Sequence, residues 1–121
     1  MIPYGRQTIE DDDIEAVTAV LRTDWLTQGP TIDAFEADLA ALAGAEHAVA
    51  YSNGTAALHG ACFAAGLGPG DVVATSSLSF AASANCARYV GADVRFVDID
   101  PGTLNMDLEL VPDGIDALIP V

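Results

Sequence analysis

The chain of 121 residues contains no lysine, and its basic residues are Arg6, Arg22, Arg88 and Arg95. Against 18 Asp plus Glu they leave a formal charge of −14. A nucleic-acid duplex or an anionic membrane surface is held by clustered Lys and Arg, so neither is an expected partner. Cysteine and histidine are equally scarce. Cys62 and Cys86 lie far apart, as do His47 and His59, and no pairing resembles the ligand spacing of a zinc site. The two cysteines are expected to be buried free thiols in a reducing compartment. No apolar run approaches the ~18 residues of a membrane span. The opening MIPYGRQTIEDDD turns acidic where a signal peptide would be apolar. These absences give a cytoplasmic reading.

What is present is apolar material: 51% of residues are hydrophobic and only 18% charged. That excludes a disordered acidic tail, which lacks the apolar area to offset ordering entropy. The length allows one domain at most. Pro3 and Gly5 break the start of the chain. Thr8 then reads as an N-cap, with Asp11 in an approximate capping box, for a helix from Ile9 to Arg22. Asp24 to Pro30 forms a loop. Thr31 is expected to cap a second helix whose apolar positions are Ile32, Phe35, Leu39 and Leu42, with Gly44 as its left-handed end.

From His47 onward strand and helix alternate. His47 to Tyr51, Asp71 to Thr75 and Val94 to Val97 read as strands. Ala56 to Ala65 and Phe80 to Tyr89 read as the helices between them. Leu108 to Val111 suits one helical turn and Ala117 to Val121 a fourth strand. The order predicts parallel strands joined by right-handed crossovers, covered on both faces. The expected division is 1–46, an N-terminal segment with two helices, and 47–121, an α/β unit. A chain that stops inside a core strand reads as the front part of a longer protein.

Two loops lie beyond the carboxyl ends of strands, where open α/β sheets bind ligands. Ser52-Asn53-Gly54-Thr55 precedes a helix. Its start offers unpaired N–H groups and partial positive charge to a phosphate, although the same residues also make an ordinary N-cap. Ser76 to Ser83 holds Phe80, either a core phenylalanine or an aromatic that lies flat on a ring. The turn is neither a GxGxxG fingerprint nor a Walker A loop, which disfavours a nucleotide-binding Rossmann domain. Asp98 and Asp100 suit a polar turn better than a magnesium site, and His59 suits core or surface better than a ligand contact.

The ordered segments IPYGRQTI, DDDIEAVTAVL, DWLTQGPTIDAFEADLAALAG, HAVAYSNGTAALHGA, GPGDVVATSSLSFAASAN, GADVRFVDIDPGTLNMD and ALIPV span nearly the whole chain. Together they resemble the DegT/DnrJ/EryC1/StrS family of sugar-nucleotide aminotransferases. The wording IPYGRQ with LTQGP looks most like the branch that aminates C4 of UDP-linked 4-keto-6-deoxy-N-acetylhexosamines, on the route to pseudaminic acid and similar sugars.

The resemblance implies the N-terminal part of the large domain of a fold-type I transferase, an incomplete α/β unit with a mostly parallel sheet. It implies pyridoxal 5′-phosphate (PLP) as cofactor, a nucleotide-sugar substrate, L-glutamate as amino donor, and a homodimer at full length. Asn53, Gly54, Thr55 and Ala56 match the stretch that holds the cofactor phosphate, and Phe80 matches the aromatic that stacks on its ring. Thr27, Gln28 and Gly29 match a loop facing the sugar nucleotide, and Tyr4 matches an aromatic near the substrate. The family's Schiff-base lysine has no counterpart in a chain without lysine. The residues present are therefore expected to be inactive alone, with no catalytic residue among them. Relatives that carry histidine in place of that lysine are dehydratases. A complete, non-catalytic α/β binding module is the reading from another class.

Overall fold

A computed structural model describes residues 5–120. The chain divides into two compact units, Met1–Ala50 and Tyr51–Val121.

The first unit holds helices α1 (Asp11–Leu21) and α2 (Pro30–Ala43). Helix α1 starts two residues later than its sequence predicts. Glu10 is its N-cap, and the Asp13 carboxylate accepts the Glu10 N–H at 3.0 Å. The carboxylate three residues past the cap is therefore Asp13, which displaces Thr8 and Asp11 from the capping roles. Thr31 does not cap α2 either. Gly29 precedes it and Pro30 takes the first helical position, where a missing N–H costs nothing and φ is already set. Gly44 ends α2 in the expected left-handed conformation, φ 64°. The Ala50 N–H donates to the Glu36 carboxylate at 2.7 Å.

The second unit is α/β. Its order is α3 (Gly54–Ala64), β1 (Val72–Ser76), α4 (Ala82–Tyr89), β2 (Asp93–Val97), a 3₁₀ turn (Leu108–Leu110) and β3 (Ala117–Ile119). The strands run parallel in the order β2-β1-β3. Val73 pairs with Val94 on one side and Ala117 on the other. The expected strand at His47–Tyr51 joins no ladder among the described residues. Its apolar composition is strand-like, but a strand is defined by a hydrogen-bonded neighbour, and none of the described strands supplies one.

Central β1 is covered on both faces, as parallel strands require. Successive side chains point to opposite faces. Val73 packs with Ala87 of α4, Ala92 and the half-buried Leu67, Val90 and Ile119. Ala74 packs with Val97, Met106, Val111 and Ile115. Polar contacts fix the third strand: the Asp116 carboxylate accepts the Val72 N–H at 2.8 Å, and Thr75 Oγ1 donates to the Ile119 carbonyl at 3.0 Å. No helix among the described residues is long and apolar enough to cross a membrane.

Both cysteines are free and buried, as their isolation in the sequence predicts. Burial pushes the Cys62 thiol up to about 11, with a smaller contribution from the neighbouring Cys86 thiol. A pKa raised in the folded state adds stability below its unfolded value, and that stability is lost as pH rises through the folded value. Between about pH 8.5, the ordinary thiol value, and about pH 11, folding stability is expected to fall with a component that Cys62→Ala removes. Chemical denaturation at stepped pH measures the two slopes. Equal slopes would refute this assignment.

Val73 is fully buried at the sheet centre. Val73→Ala is expected to cost about 2 kcal/mol in urea denaturation, from two lost methyl groups and the cavity they leave.

Candidate functional site

The site is built where α3 begins. Asn53 is its N-cap, in extended conformation, and its side-chain carbonyl accepts the Ala56 N–H at 2.9 Å. Ser52 and Asn53 side chains are also hydrogen-bonded, at 3.2 Å. Among the described residues the Gly54 and Thr55 N–H groups meet no protein acceptor. A Cβ at Gly54 would meet nothing within 4 Å, so the backbone there is open to close approach.

Phe80 lies after β1, in the turn before α4. Its carbonyl accepts the Ser83 N–H at 3.0 Å, and the Ser79 and Ser83 hydroxyls share a 2.6 Å hydrogen bond. These bonds hold the turn, so α4 begins at Ala82 and leaves Phe80 outside it. The phenylalanine is not core: its side chain is exposed, with 78% of the residue accessible.

Gly54, Thr55 and Phe80 line one open cleft of about 660 Å³, together with Ala57, Leu58, Ala61, Ala82 and Ser83. The lining is apolar apart from the helix start and the hydroxyls. That is the usual make-up of a cofactor pocket, in which a few polar groups fix orientation. Among the described residues the cleft lining has no cationic side chain, so an anion in it depends on the helix-start N–H groups, the helix dipole and Thr55. A smaller polar recess of about 290 Å³ is lined by Thr75, Ser76, Ser77, Phe80 and Asn85 among others.

The other expected residues are distributed differently. Asn53 and Ala56 are not among the cleft-lining residues; they satisfy each other instead. Thr27, Gln28 and Gly29 belong to the first unit. There Gln28 and Gly29 both have positive φ, 58° and 102°. A Cβ at Gly29 would come within 2.9 Å of Trp25 Cβ, which accounts for glycine at that position. Tyr4 lies outside the described residues. His59 does not line the cleft; its ring meets Tyr89 edge-on at 5.3 Å. The Asp100 carboxylate accepts from the Gly102 N–H at 2.8 Å and from the Thr103 hydroxyl at 3.2 Å, as a polar turn requires. The described residues hold no metal-ligating cluster of three or more groups.

Sequence reasoning missed the lining residues Ala57, Leu58, Ala61, Ala82 and Ser83. Part of the signal was there: residues 54, 57, 58 and 61 share one helical face.

A parallel α/β unit with an anion-ready helix start facing an exposed aromatic defines a class of phosphate-bearing cofactor or ligand sites. Residues 7–118 match the DegT/DnrJ/EryC1/StrS aminotransferase family. The chain belongs to that family. It is similar to the spore coat polysaccharide biosynthesis protein SpsC of Bacillus subtilis (strain 168), 46% identical over 106 residues, which cover 88% of this chain and 27% of the relative. It is 38% identical over 110 residues to the UDP-4-amino-4-deoxy-L-arabinose–oxoglutarate aminotransferase of Shewanella sediminis (strain HAW-EB3), covering 91% of this chain and 28% of that one. Among solved structures it superposes on Spr1654 from Streptococcus pneumoniae in its PMP form with a TM-score of 0.89. There the identity is 30%, and the match covers 99% of this chain and 31% of that one. The same protein has also been solved in a PLP form. The chain thus spans less than a third of the length of these relatives.

The cap at Asn53 is expected to be worth about 1 kcal/mol. Asn53→Ala should lower the denaturation midpoint accordingly, and Asn53→Asp should restore most of it. Failure of the aspartate to restore it would show that the side-chain carbonyl is not the stabilising group.

Proposed function

We propose that this chain carries the phosphate-anchoring and ring-facing part of a PLP site in a sugar-nucleotide aminotransferase. The observation that carries the reading is the shared cleft: Gly54, Thr55 and Phe80 line the same space. Bound there, PLP supplies the electron sink through which an amino group passes from donor to keto sugar. The chain's own residues do the rest of what can be assigned. The free N–H groups of Gly54 and Thr55, with the Thr55 hydroxyl, hold the phosphate. Asn53 fixes the first turn that presents them. Phe80 covers one ring face and, with Leu58 and Ala61, keeps water from that side. Thr27, Gln28 and Gly29 are assigned to the sugar nucleotide, and Tyr4 to the substrate.

The reaction we favour moves an amino group from L-glutamate to C4 of a UDP-linked 4-keto-6-deoxy-N-acetylhexosamine, in a cytoplasmic homodimer. Similarity to a relative named for a UDP-4-amino sugar supports amination at C4 of a UDP sugar. The acetamido and 6-deoxy features rest on the IPYGRQ and LTQGP segments alone. With no lysine in these 121 residues, none of them can hold PLP as a lysine Schiff base. The chain's part is therefore orientation, not proton transfer.

Pyridoxamine phosphate tests the anchoring without any covalent bond. Equilibrium dialysis of the chain should show binding that inorganic phosphate displaces. Thr55→Val should weaken it roughly five- to tenfold, the scale of one hydrogen bond to a charged group. Phe80→Ala should weaken it roughly three- to tenfold through lost stacking. Binding that both variants leave unchanged, or that phosphate does not displace, would remove the proposal.

A further inference from the structure

Glycine serves α3 in two opposite ways. At Gly54 the space a side chain would fill is open, and the residue lines the cleft. At Gly60, in the helix interior, that space is taken. A Cβ there would overlap the Tyr51 hydroxyl and ring, with Cε1 only 2.9 Å away. Glycine inside a helix loses more conformational freedom than alanine, and here it lets an aromatic ring lie against bare helix backbone. Tyr51 and Gly60 belong to the same compact unit.

The contact spans the start of the helix. Tyr51 stands two residues before the Asn53 cap, and Gly60 seven residues beyond it. Gly60 lies one turn after Ala56, the residue whose N–H the Asn53 side chain accepts. The cleft-lining positions 54, 57, 58 and 61 occupy another face of α3, and Tyr51 is not among the lining residues. A hydrophobic staple works in this way: a residue ahead of the N-cap packs on the helix and fixes the angle at which the chain enters. The length of a tyrosine carries the contact one turn further along.

We infer that Tyr51 and Gly60 are positioning residues for the anion site: the ring laid on the glycine sets the entry angle of the chain, and with it the direction of the Gly54 and Thr55 N–H bonds. The consequence for the cofactor phosphate rests on the reading proposed above; the aim of the two bonds does not. Hydrogen bonds weaken steeply as an N–H turns away from its acceptor. Among the described lining residues no cationic side chain makes good a misaimed donor. Tyr51 is itself half exposed, so its removal leaves the core around Val73 intact.

Residual dipolar couplings of the full, isotope-labelled chain report the direction of each N–H bond. Tyr51→Ala and Gly60→Ala are each expected to turn the Gly54 and Thr55 bonds while the couplings of β1 and α4 stay as they are. Tyr51→Phe keeps the ring and should keep the wild-type couplings. The double variant should go no further than either alanine substitution alone, because both remove one contact. In equilibrium dialysis, either substitution should weaken pyridoxamine phosphate binding roughly three- to tenfold, the scale of one misaimed hydrogen bond, and Tyr51→Phe should not. Gly60→Ala separates aim from helix stability: alanine favours the helix, so affinity lost there is not helix lost. Couplings at Gly54 and Thr55 that neither alanine substitution moves would overturn the inference, as would affinities that stay at the wild-type value. Were the wild-type chain to bind no pyridoxamine phosphate, the cofactor reading would fall, and the couplings alone would decide whether Tyr51 and Gly60 aim those bonds.

Discussion

An anion in this cleft meets no cationic side chain among the described lining residues. The four arginines lie at 6, 22, 88 and 95, and Arg88 is already beside Asp93 at 3.7 Å. Attraction must come from backbone N–H groups left over where a helix begins. Helix α3 has four such groups by geometry. The Asn53 side-chain carbonyl takes the one at Ala56, while its backbone carbonyl accepts the first intrahelical bond, from Ala57. Gly54 and Thr55, whose N–H groups meet no acceptor among the described residues, are those that line the cleft. The helix dipole adds roughly half a positive charge at the same point. That field acts on an anion in direct contact with the helix start, whereas exposed carboxylates more than about 8 Å away are screened at physiological salt. A net charge of −14 and an anion-binding helix start are therefore compatible.

The sheet decides what faces this donor set. β1 is the central strand, with β2 and β3 parallel to it on either side. Its carboxyl end carries Ser76 and Ser77, and the chain must turn there before α4 can pack Ala87 against Val73. The Ser79–Ser83 hydrogen bond and the Phe80 carbonyl's bond to Ser83 hold that turn. A helix that began at Phe80 would draw the ring onto a helical face. Beginning at Ala82, it leaves the ring projecting into the cleft beside α3. The aromatic wall is thus a consequence of where the helix is capped.

Much of this was legible in the sequence, and the remainder failed for identifiable reasons. Strand–turn–helix punctuation located α3, β1, α4, β2 and β3 to within two residues, because Gly66 to Gly70 and Gly91 interrupt otherwise apolar text. Caps were less legible. Thr8 and Thr31 are good capping residues, but the carboxylate that closes the box is Asp13, and Pro30 fixes the start of α2 by its own ring. His47–Tyr51 has strand composition and no ladder, since local composition cannot specify a partner strand.

Backbone strain is held differently in two turns. Gln28 and Leu104 are the non-glycine residues with positive φ, 58° and 63°, among those described. For Leu104 the compensation is visible: its N–H donates to the Asp100 carbonyl at 2.7 Å, and Asp100 and Asn105 are hydrogen-bonded around it. The turn closes the antiparallel bridge between Ile99 and Met106, so the strain belongs to the fold. Gln28 has no such bond of its own; it precedes a glycine held at φ 102° with Trp25 packed against it. Non-glycine residues in this region cost on the order of 1–3 kcal/mol and persist where surrounding structure overdetermines them. At Gln28 the constraint is the start of α2: Gly29 must turn sharply for Pro30 to enter the helix, and the loop before it takes the strain. The amide side chain is thereby carried on a backbone with few alternatives, the property a residue needs if it is to recognise a polar ligand at low entropic cost.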